Sequence, residues 1–170
     1  MSQAQPTNPR FDIRNTGKVA LVTGASSGIG AAIAIELAAA GFSNLVLVAR
    51  NEEKLAITKS SCEANGAKKV SILSRNLAKP REVCKEIIDS VVEEFDRLDM
   101  IVNNAGVGDV SMARDIEEDK IDMLMSLHVK TPMLLTKYGL PHLEKTKGNI
   151  VFISSICGPE IQPQGSCLYS

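Results

Sequence analysis

The sequence has no tryptophan, and only 4% of its 170 residues are aromatic. Its 19 basic and 20 acidic side chains nearly cancel, which gives a formal net charge of −1. Such a balance argues against binding to nucleic acid or to an anionic membrane surface. No apolar run approaches the roughly 18 residues of a membrane span, and the N-terminus lacks the apolar segment of a secretory signal. We therefore expect a cytoplasmic globular protein with no nucleic-acid or membrane partner.

Cysteines are few and widely spaced, at positions 62, 84, 157 and 167. Their spacing lacks the close pairs that bind structural zinc, and nothing in the sequence indicates a secreted disulfide scaffold. We expect reduced thiols and no metal site.

What the sequence does contain is a regular alternation of short apolar runs and helical patterns, which follows a polar lead-in over residues 1–16 that we expect to be mobile. The apolar runs predict strands at Val19–Val22, Leu45–Ala49, Val70–Leu73, Met100–Val102 and Gly148–Ser154. Helices are predicted between them, the last one from about Glu117 to Leu143. Unbroken apolar strands separated by helices are typical of a parallel sheet that is covered on both faces. We expect residues 17–170 to form one α/β domain, a doubly wound Rossmann-type sheet with strand order 3-2-1-4-5 in three α/β/α layers.

A glycine-rich turn joins the first strand to the first helix and reads Thr23-Gly24-Ala25-Ser26-Ser27-Gly28-Ile29-Gly30. Glycine lets a backbone turn tightly and approach a phosphate, and a helix N-terminus offers unpaired N–H groups. A tight turn without any ligand is the alternative. The fourth strand ends in Asn103-Asn104-Ala105-Gly106, and the expected topology brings both turns to the edge where doubly wound sheets bind ligands.

Three stretches resemble the short-chain dehydrogenase/reductase family: the turn Thr23–Gly30, the run Asn103–Gly106, and the pair formed by Ser155 and Tyr169. The resemblance covers about residues 17–170. It implies a nicotinamide cofactor and hydride transfer to or from a small-molecule carbonyl or alcohol, and a homo-oligomer for the full-length form. The residues that the resemblance assigns to cofactor binding are Thr23, Gly24, Ser26, Ser27, Gly28, Ile29, Gly30, Asn76, Leu77, Asn103, Ala105 and Gly106. It also implies that Asn104 ties neighbouring strands together.

The end of the second strand predicts which dinucleotide is preferred. Ala49 occupies the position where NAD-preferring relatives have an aspartate, and Arg50 follows it. An uncharged residue does not repel a 2′-phosphate, and a guanidinium can bind it through two hydrogen bonds. We expect NADP rather than NAD, although Arg50 as a solvated residue at a helix start is the alternative.

The catalytic residues implied by the resemblance are Tyr169 as the proton donor and Ser155 as the residue that positions the substrate oxygen, with the neighbouring Ser154 as the alternative. A lysine four residues after the tyrosine would lower its pKa, but the sequence stops at Ser170. His128 stands where relatives have an asparagine whose main-chain carbonyl holds a water. In an α-helix, the carbonyl of His128 would accept a hydrogen bond from the N–H of residue 132. Because Pro132 lacks an N–H, this carbonyl is predicted to be free to bind a water. A space-filling histidine beside a kinked helix is an equally weighted alternative.

The sequence therefore resembles a family member that is truncated just after its catalytic tyrosine. One reading is an NADP-dependent carbonyl reductase or alcohol dehydrogenase of which this is an incomplete part. The other is a short product that binds cofactor or a full-length partner without catalysis. With its fifth strand left as a sheet edge, we expect such a chain to associate or to be marginally folded.

Overall fold

The structure is a computed structural model that describes residues 17–109 and 114–155. Five parallel strands form one sheet with the order β3-β2-β1-β4-β5, so the predicted topology is confirmed. The strands are β1 Val19–Thr23, β2 Asn44–Ala49, β3 Lys69–Ser74, β4 Met100–Asn103 and β5 Asn149–Phe152. The helices are α1 Gly28–Ala40, α2 Glu52–Ala64, α3 Pro80–Phe95, α4 Glu118–Met125 and α5 Thr131–Thr146. The predicted lead-in over residues 1–16 lies outside the described residues.

Strand β1 is the centre of the sheet, and its alternate side chains enter two separate cores. Leu21 belongs to a cluster that also contains Ile87 of α3 and Leu135 of α5. Ala20 belongs to the opposite cluster, which contains Ala34 of α1. Because successive side chains of a strand point to opposite faces, an unbroken apolar strand is buried on both sides. Helices therefore cover the sheet on both faces, as the sequence predicts.

Helix α1 packs against the sheet through small residues. Its buried positions are Gly30, Ala34 and Ala38, whereas Ile29 is 64% exposed. Small side chains let the helix backbone come close to the strands, so the larger apolar residues of the same helix lie toward its flank. The helix ends at Gly41, whose φ of 106° is the left-handed conformation that favours glycine at this position.

The predicted long helix over residues 117–143 is instead divided into three parts. Helix α4 continues into a π turn over Ser126–Lys130, in which the N–H of Thr131 bonds the carbonyl of Ser126, and α5 follows. Pro132 has no N–H to donate, which explains why regular α-helical bonding is interrupted just before it. The fifth strand is also shorter than predicted and ends at Phe152.

Within the described ranges, no helix combines the length and the hydropathy that crossing a bilayer would require.

Candidate functional site

A cavity of about 630 Å³, lined by both polar and apolar groups, lies at the carboxyl ends of strands β1 to β4. This edge is where open parallel sheets bind ligands, at the point where chain connections run in opposite directions from adjacent strands. The residues that line the cavity are Gly24, Ser26, Ser27, Ala49, Arg50, Asn51, Lys54, Arg75, Asn76, Leu77, Ala78, Ala105, Gly106, Val107, Lys120, Met123 and Leu127. A second groove along α1 is lined by five apolar residues and Glu36. It lacks the converging polar groups typical of a ligand site.

The N-terminus of α1 opens toward this cavity with its hydrogen-bond donors unsatisfied by side chains. Ser27 is the N-cap residue, but its hydroxyl makes no capping hydrogen bond, and the first turn contains no acidic residue. The first N–H groups of a helix have no intrahelical acceptor, and they carry a partial positive charge. An anionic group fits here because it would accept bonds from donors that the chain itself leaves unused.

The structure gives two different reasons why glycine is needed in this turn. At Gly24, an added Cβ would lie 2.7 Å from the amide nitrogen of Asn104, and Gly30 is confined by the same amide. At Gly28, an added Cβ would meet no atom within 4 Å, although its φ of +56° disfavours other residues. Gly30 is thus required by packing between the two turns, and Gly24 is required both by this packing and by its φ of +67°. Gly28 alone leaves open space beside the helix start, where a ligand could approach.

The turns after β1 and β4 are joined by a network around Thr23 and Asn104. The hydroxyl of Thr23 donates to the carbonyl of Val102 at 3.1 Å and accepts from the N–H groups of Asn104 and Ala105 at 2.9 and 3.1 Å. The Asn104 side chain donates to the carbonyl of Thr23 at 3.0 Å. Thr23 is 1% exposed, so its side chain acts in holding the two strands together. Asn104 ties the strands as the resemblance implies.

The ends of β2 and β3 form the side of the cavity that carries Arg50. Gly24 donates its N–H to the carbonyl of Val48 at 2.8 Å, which links the glycine turn to β2. The carbonyl of Arg50 accepts a hydrogen bond from the Ser74 hydroxyl at 3.1 Å. Asn51 then caps α2 by accepting the N–H of Lys54 at 2.8 Å. The backbone that carries Arg50 is therefore fixed between two neighbouring elements, while its side chain is exposed.

The π turn contacts two of the loops that line the cavity. The Nε2 atom of His128 lies 2.9 Å from the carbonyl oxygen of Val107, within reach of a donated hydrogen bond. The hydroxyl of Thr131 donates to the carbonyl of Leu77 at 2.6 Å, and Thr131 is 2% exposed. One turn of the helical region thus positions the loop after β4 through one residue and the loop after β3 through another. Such π turns occur often at functional sites.

The geometry can be compared with known proteins. The profile of the family described as short chain dehydrogenase matches residues 18–170. The chain belongs to the short-chain dehydrogenase/reductase family. It is similar to 11-beta-hydroxysteroid dehydrogenase-like 4A of Arabidopsis thaliana, with 34% identity over 84% of this chain and 47% of the relative. The chain therefore spans about half the length of that curated relative.

Two solved structures of this family show the same fold. A metagenomic short-chain oxidoreductase in complex with NADP is 34% identical, with a TM-score of 0.82 over 89% of this chain and 68% of that one. Carveol dehydrogenase from Mycobacterium avium in complex with NAD is 28% identical, with a TM-score of 0.80 over 91% of this chain and 60% of that one.

The structure brings most of the predicted cofactor-binding residues to one cavity. The predicted residues that line it are Gly24, Ser26, Ser27, Arg50, Asn76, Leu77, Ala105 and Gly106. Five other predicted cofactor-binding residues do not line it: Thr23, Gly28, Ile29, Gly30 and Asn103. Asn103 is 6% exposed, and neither side-chain atom of its amide has a hydrogen-bond partner among the described residues. A cofactor contact by any of these residues remains a prediction.

The predicted catalytic residues are only partly within the described chain. Tyr169 lies outside the described residues. Ser155 follows β5 and is half-buried, whereas its neighbour Ser154 is exposed. The fifth strand is aligned with the fourth through the N–H of Ile153, which donates to the carbonyl of Asn103 at 2.9 Å. Ser155 therefore stands at the same edge of the sheet as the cavity.

Sequence reasoning missed several cavity residues. Lys54 carries a detectable signal, because it lies in the first turn of a helix that starts at the end of a predicted strand. Lys120, Met123 and Leu127 also line the cavity. These three residues lie in no recognisable binding motif. They reach the cavity only because α4 and the π turn pack beside it.

The two described cysteines lie away from this chemistry. Burial raises the pKa of the Cys62 thiol to about 11, with a further contribution from Glu63. Burial likewise raises the pKa of the Cys84 thiol to about 11, although a weak hydrogen bond with Thr131 acts to lower this pKa. Neither thiol is ionised near neutral pH, so neither is an activated nucleophile. The described part of the chain also contains no cluster of three or more histidine, cysteine or acidic residues that could bind a metal ion.

Proposed function

We propose that the chain is the cofactor-binding part of an NADP-dependent oxidoreductase that acts on a carbonyl or alcohol group of a small molecule. The observation that carries the proposal is the cavity at the carboxyl edge of the sheet, where a helix N-terminus without a side-chain cap lies near exposed cations. A bound nicotinamide would supply the hydride donor or acceptor. Residues of the chain supply binding, orientation and proton transfer.

The proposed binding residues fall into three groups around the cavity. Backbone N–H groups at the start of α1 bind the pyrophosphate, because the Ser27 side chain does not cap them. Asn76 and Leu77 contact the adenine, and Arg50 binds a phosphate on the adenosine ribose. Asn103, Ala105 and Gly106 lie along the ribose of the nicotinamide end.

The preference for NADP rests on Ala49 and Arg50. Ala49 is 7% exposed and carries no charge that would repel a phosphate, and Arg50 lines the cavity beside it. The family relatives include one complex with NADP and one with NAD, so family membership does not decide the cofactor.

For the chemistry, we propose that Tyr169 donates a proton to the developing alkoxide and that Ser155 donates a hydrogen bond to the same oxygen. The carbonyl of His128 is proposed to hold a water that relays protons to the tyrosine. The side chain of this histidine has a separate, positioning contact with Val107.

The test of the proposal is a pair of titrations, with NADPH and with NADH, on the wild-type chain and on Arg50→Ala. A hydrogen bond to a charged group contributes about 1.5–3 kcal/mol, so the variant should bind NADPH about 10- to 100-fold more weakly. NADH affinity should change much less, and Ala49→Asp should shift the preference toward NADH.

Arg81→Ala is the matched control, because Arg81 is exposed on α3 and does not line the cavity. Equal NADPH affinity of the wild type, Arg50→Ala and Arg81→Ala would contradict the assignment of NADP. Absence of saturable binding of either nucleotide to the folded wild type would overturn the proposed function as a whole.

A further inference from the structure

The cavity has an unequal distribution of charge along its walls. Among the residues that the structure describes, no carboxylate lines the cavity. The four cationic residues that line it are Arg50, Lys54, Arg75 and Lys120. A cavity lined by one sign of charge concentrates ligands of the opposite sign. The four charges differ in how available they are to a ligand.

Two of the four cations are already paired. The guanidinium of Arg75 bonds Glu86, with its Nε 3.1 Å from a carboxylate oxygen. The ammonium of Lys120 lies 3.3 Å from a carboxylate oxygen of Asp109. These pairs reduce the charge that Arg75 and Lys120 present to a ligand.

The other two cations have no ion pair within the described part of the chain. Arg50 follows β2 directly, and Lys54 stands in the first turn of α2. Their backbones are fixed by the bonds of the Arg50 carbonyl to Ser74 and of the Lys54 N–H to the Asn51 cap. Two unpaired cations four residues apart thus lie on one wall of the cavity.

The N-terminus of α2 does not itself provide this anion site. Its first turn contains Glu52 and Glu53, and Asn51 already accepts one of its N–H groups. These carboxylates offset the partial positive charge of the helix end. An anion at this wall therefore depends on the side chains of Arg50 and Lys54.

We propose that Lys54 is a specificity-determining residue, whose ammonium binds the 2′-phosphate of the cofactor together with Arg50. This inference rests on the proposed function and adds a second cation to it. A guanidinium binds a phosphate in a fork, whereas an ammonium acts as a compact charge with three donors. The two groups would therefore offer one phosphate both a planar fork and a compact positive charge.

The experiment titrates the 170-residue chain with 2′,5′-ADP and with 5′-AMP by calorimetry. Lys54→Gln should weaken binding of 2′,5′-ADP about 5- to 10-fold, as expected for one charge-assisted contact at an exposed position. Binding of 5′-AMP should stay within about twofold, since that ligand lacks the 2′-phosphate. Lys54→Arg keeps the charge and should retain most of the preference. The fold-change for Lys54→Gln should also shrink as salt is added.

Lys59→Gln is the matched control, because Lys59 lies on the same helix, pairs with Glu63 at 3.8 Å and does not line the cavity. It should leave both affinities unchanged. Equal binding of 2′,5′-ADP to the wild type and to Lys54→Gln, with a loss in Arg50→Ala, would overturn the role of Lys54 alone. A wild type that does not prefer 2′,5′-ADP over 5′-AMP would overturn both this role and the proposed function.

Discussion

Asn104 shows how one side chain sets the geometry of the site without lining the cavity. Its amide donates to the Thr23 carbonyl and fills the space that a side chain at Gly24 or Gly30 would occupy. From the sequence alone, the glycines at these positions are explained by the tight turn that phosphate binding needs. The structure gives a different reason for two of them, which is the approach of the neighbouring turn. A contact between residues 80 positions apart has no local sequence signal.

At this scale, we predict that Asn104→Ala lowers the free energy of unfolding by about 1–2 kcal/mol, since a partly buried hydrogen bond and its packing are lost. It should also weaken NADPH binding, because both turns lose their connection. Asn65→Ala is the control: Asn65 makes a similar bond, to the Ser61 carbonyl at 2.8 Å, but in an exposed turn. Its cost should be below about 0.5 kcal/mol, with no change in NADPH affinity. Chemical denaturation and fluorescence titration measure both quantities, and equal effects of the two variants would contradict the assigned role.

The element of greatest interest is the π turn between α4 and α5. Pro132 is a sequence signal that helical bonding is interrupted nearby, and the interruption is found there. The sequence does not predict a π turn in place of a kink. The π turn is accompanied by bonds from His128 and Thr131 to residues 21 and 54 positions away in the chain, and such contacts have no local sequence signal.

We predict that Thr131→Val and Thr146→Val destabilise the fold to a similar extent, about 1–3 kcal/mol, because each leaves a buried or partly buried carbonyl without its hydroxyl donor. The Thr131 hydroxyl bonds Leu77 at the cavity, and the Thr146 hydroxyl bonds Leu98 at the opposite end of the sheet at 2.7 Å. Only Thr131→Val should therefore weaken NADPH binding, by several-fold. Thermal melts and titrations of both variants test this. Similar NADPH affinities for the two variants would show that Thr131 does not position the loop after β3 for cofactor binding.

For the whole molecule, alternation of apolar strands and helices predicts a parallel sheet that is covered on both faces. The glycine-containing turns after β1 and β4 favour the order 3-2-1-4-5, in which these two strands lie side by side at the ligand-binding edge. The wall of the cavity formed by Lys120, Met123 and Leu127 is not predictable in this way. It depends on where a helix without a motif packs in three dimensions. Homo-oligomer formation and association through the β5 edge remain predictions from the sequence.

The central claim is that the turn at the start of α1 holds a nicotinamide dinucleotide through its free N–H groups. The most direct measurement is a titration of the 15N-labelled chain with NADPH, followed by NMR. The account predicts saturable shifts for the backbone amides of Ser26, Ser27 and Gly28. Gly66 and Gly148, which precede β3 and β5 at the opposite edge of the sheet, should not shift. Saturable shifts confined to other parts of the chain, or none in the folded protein, would contradict the account.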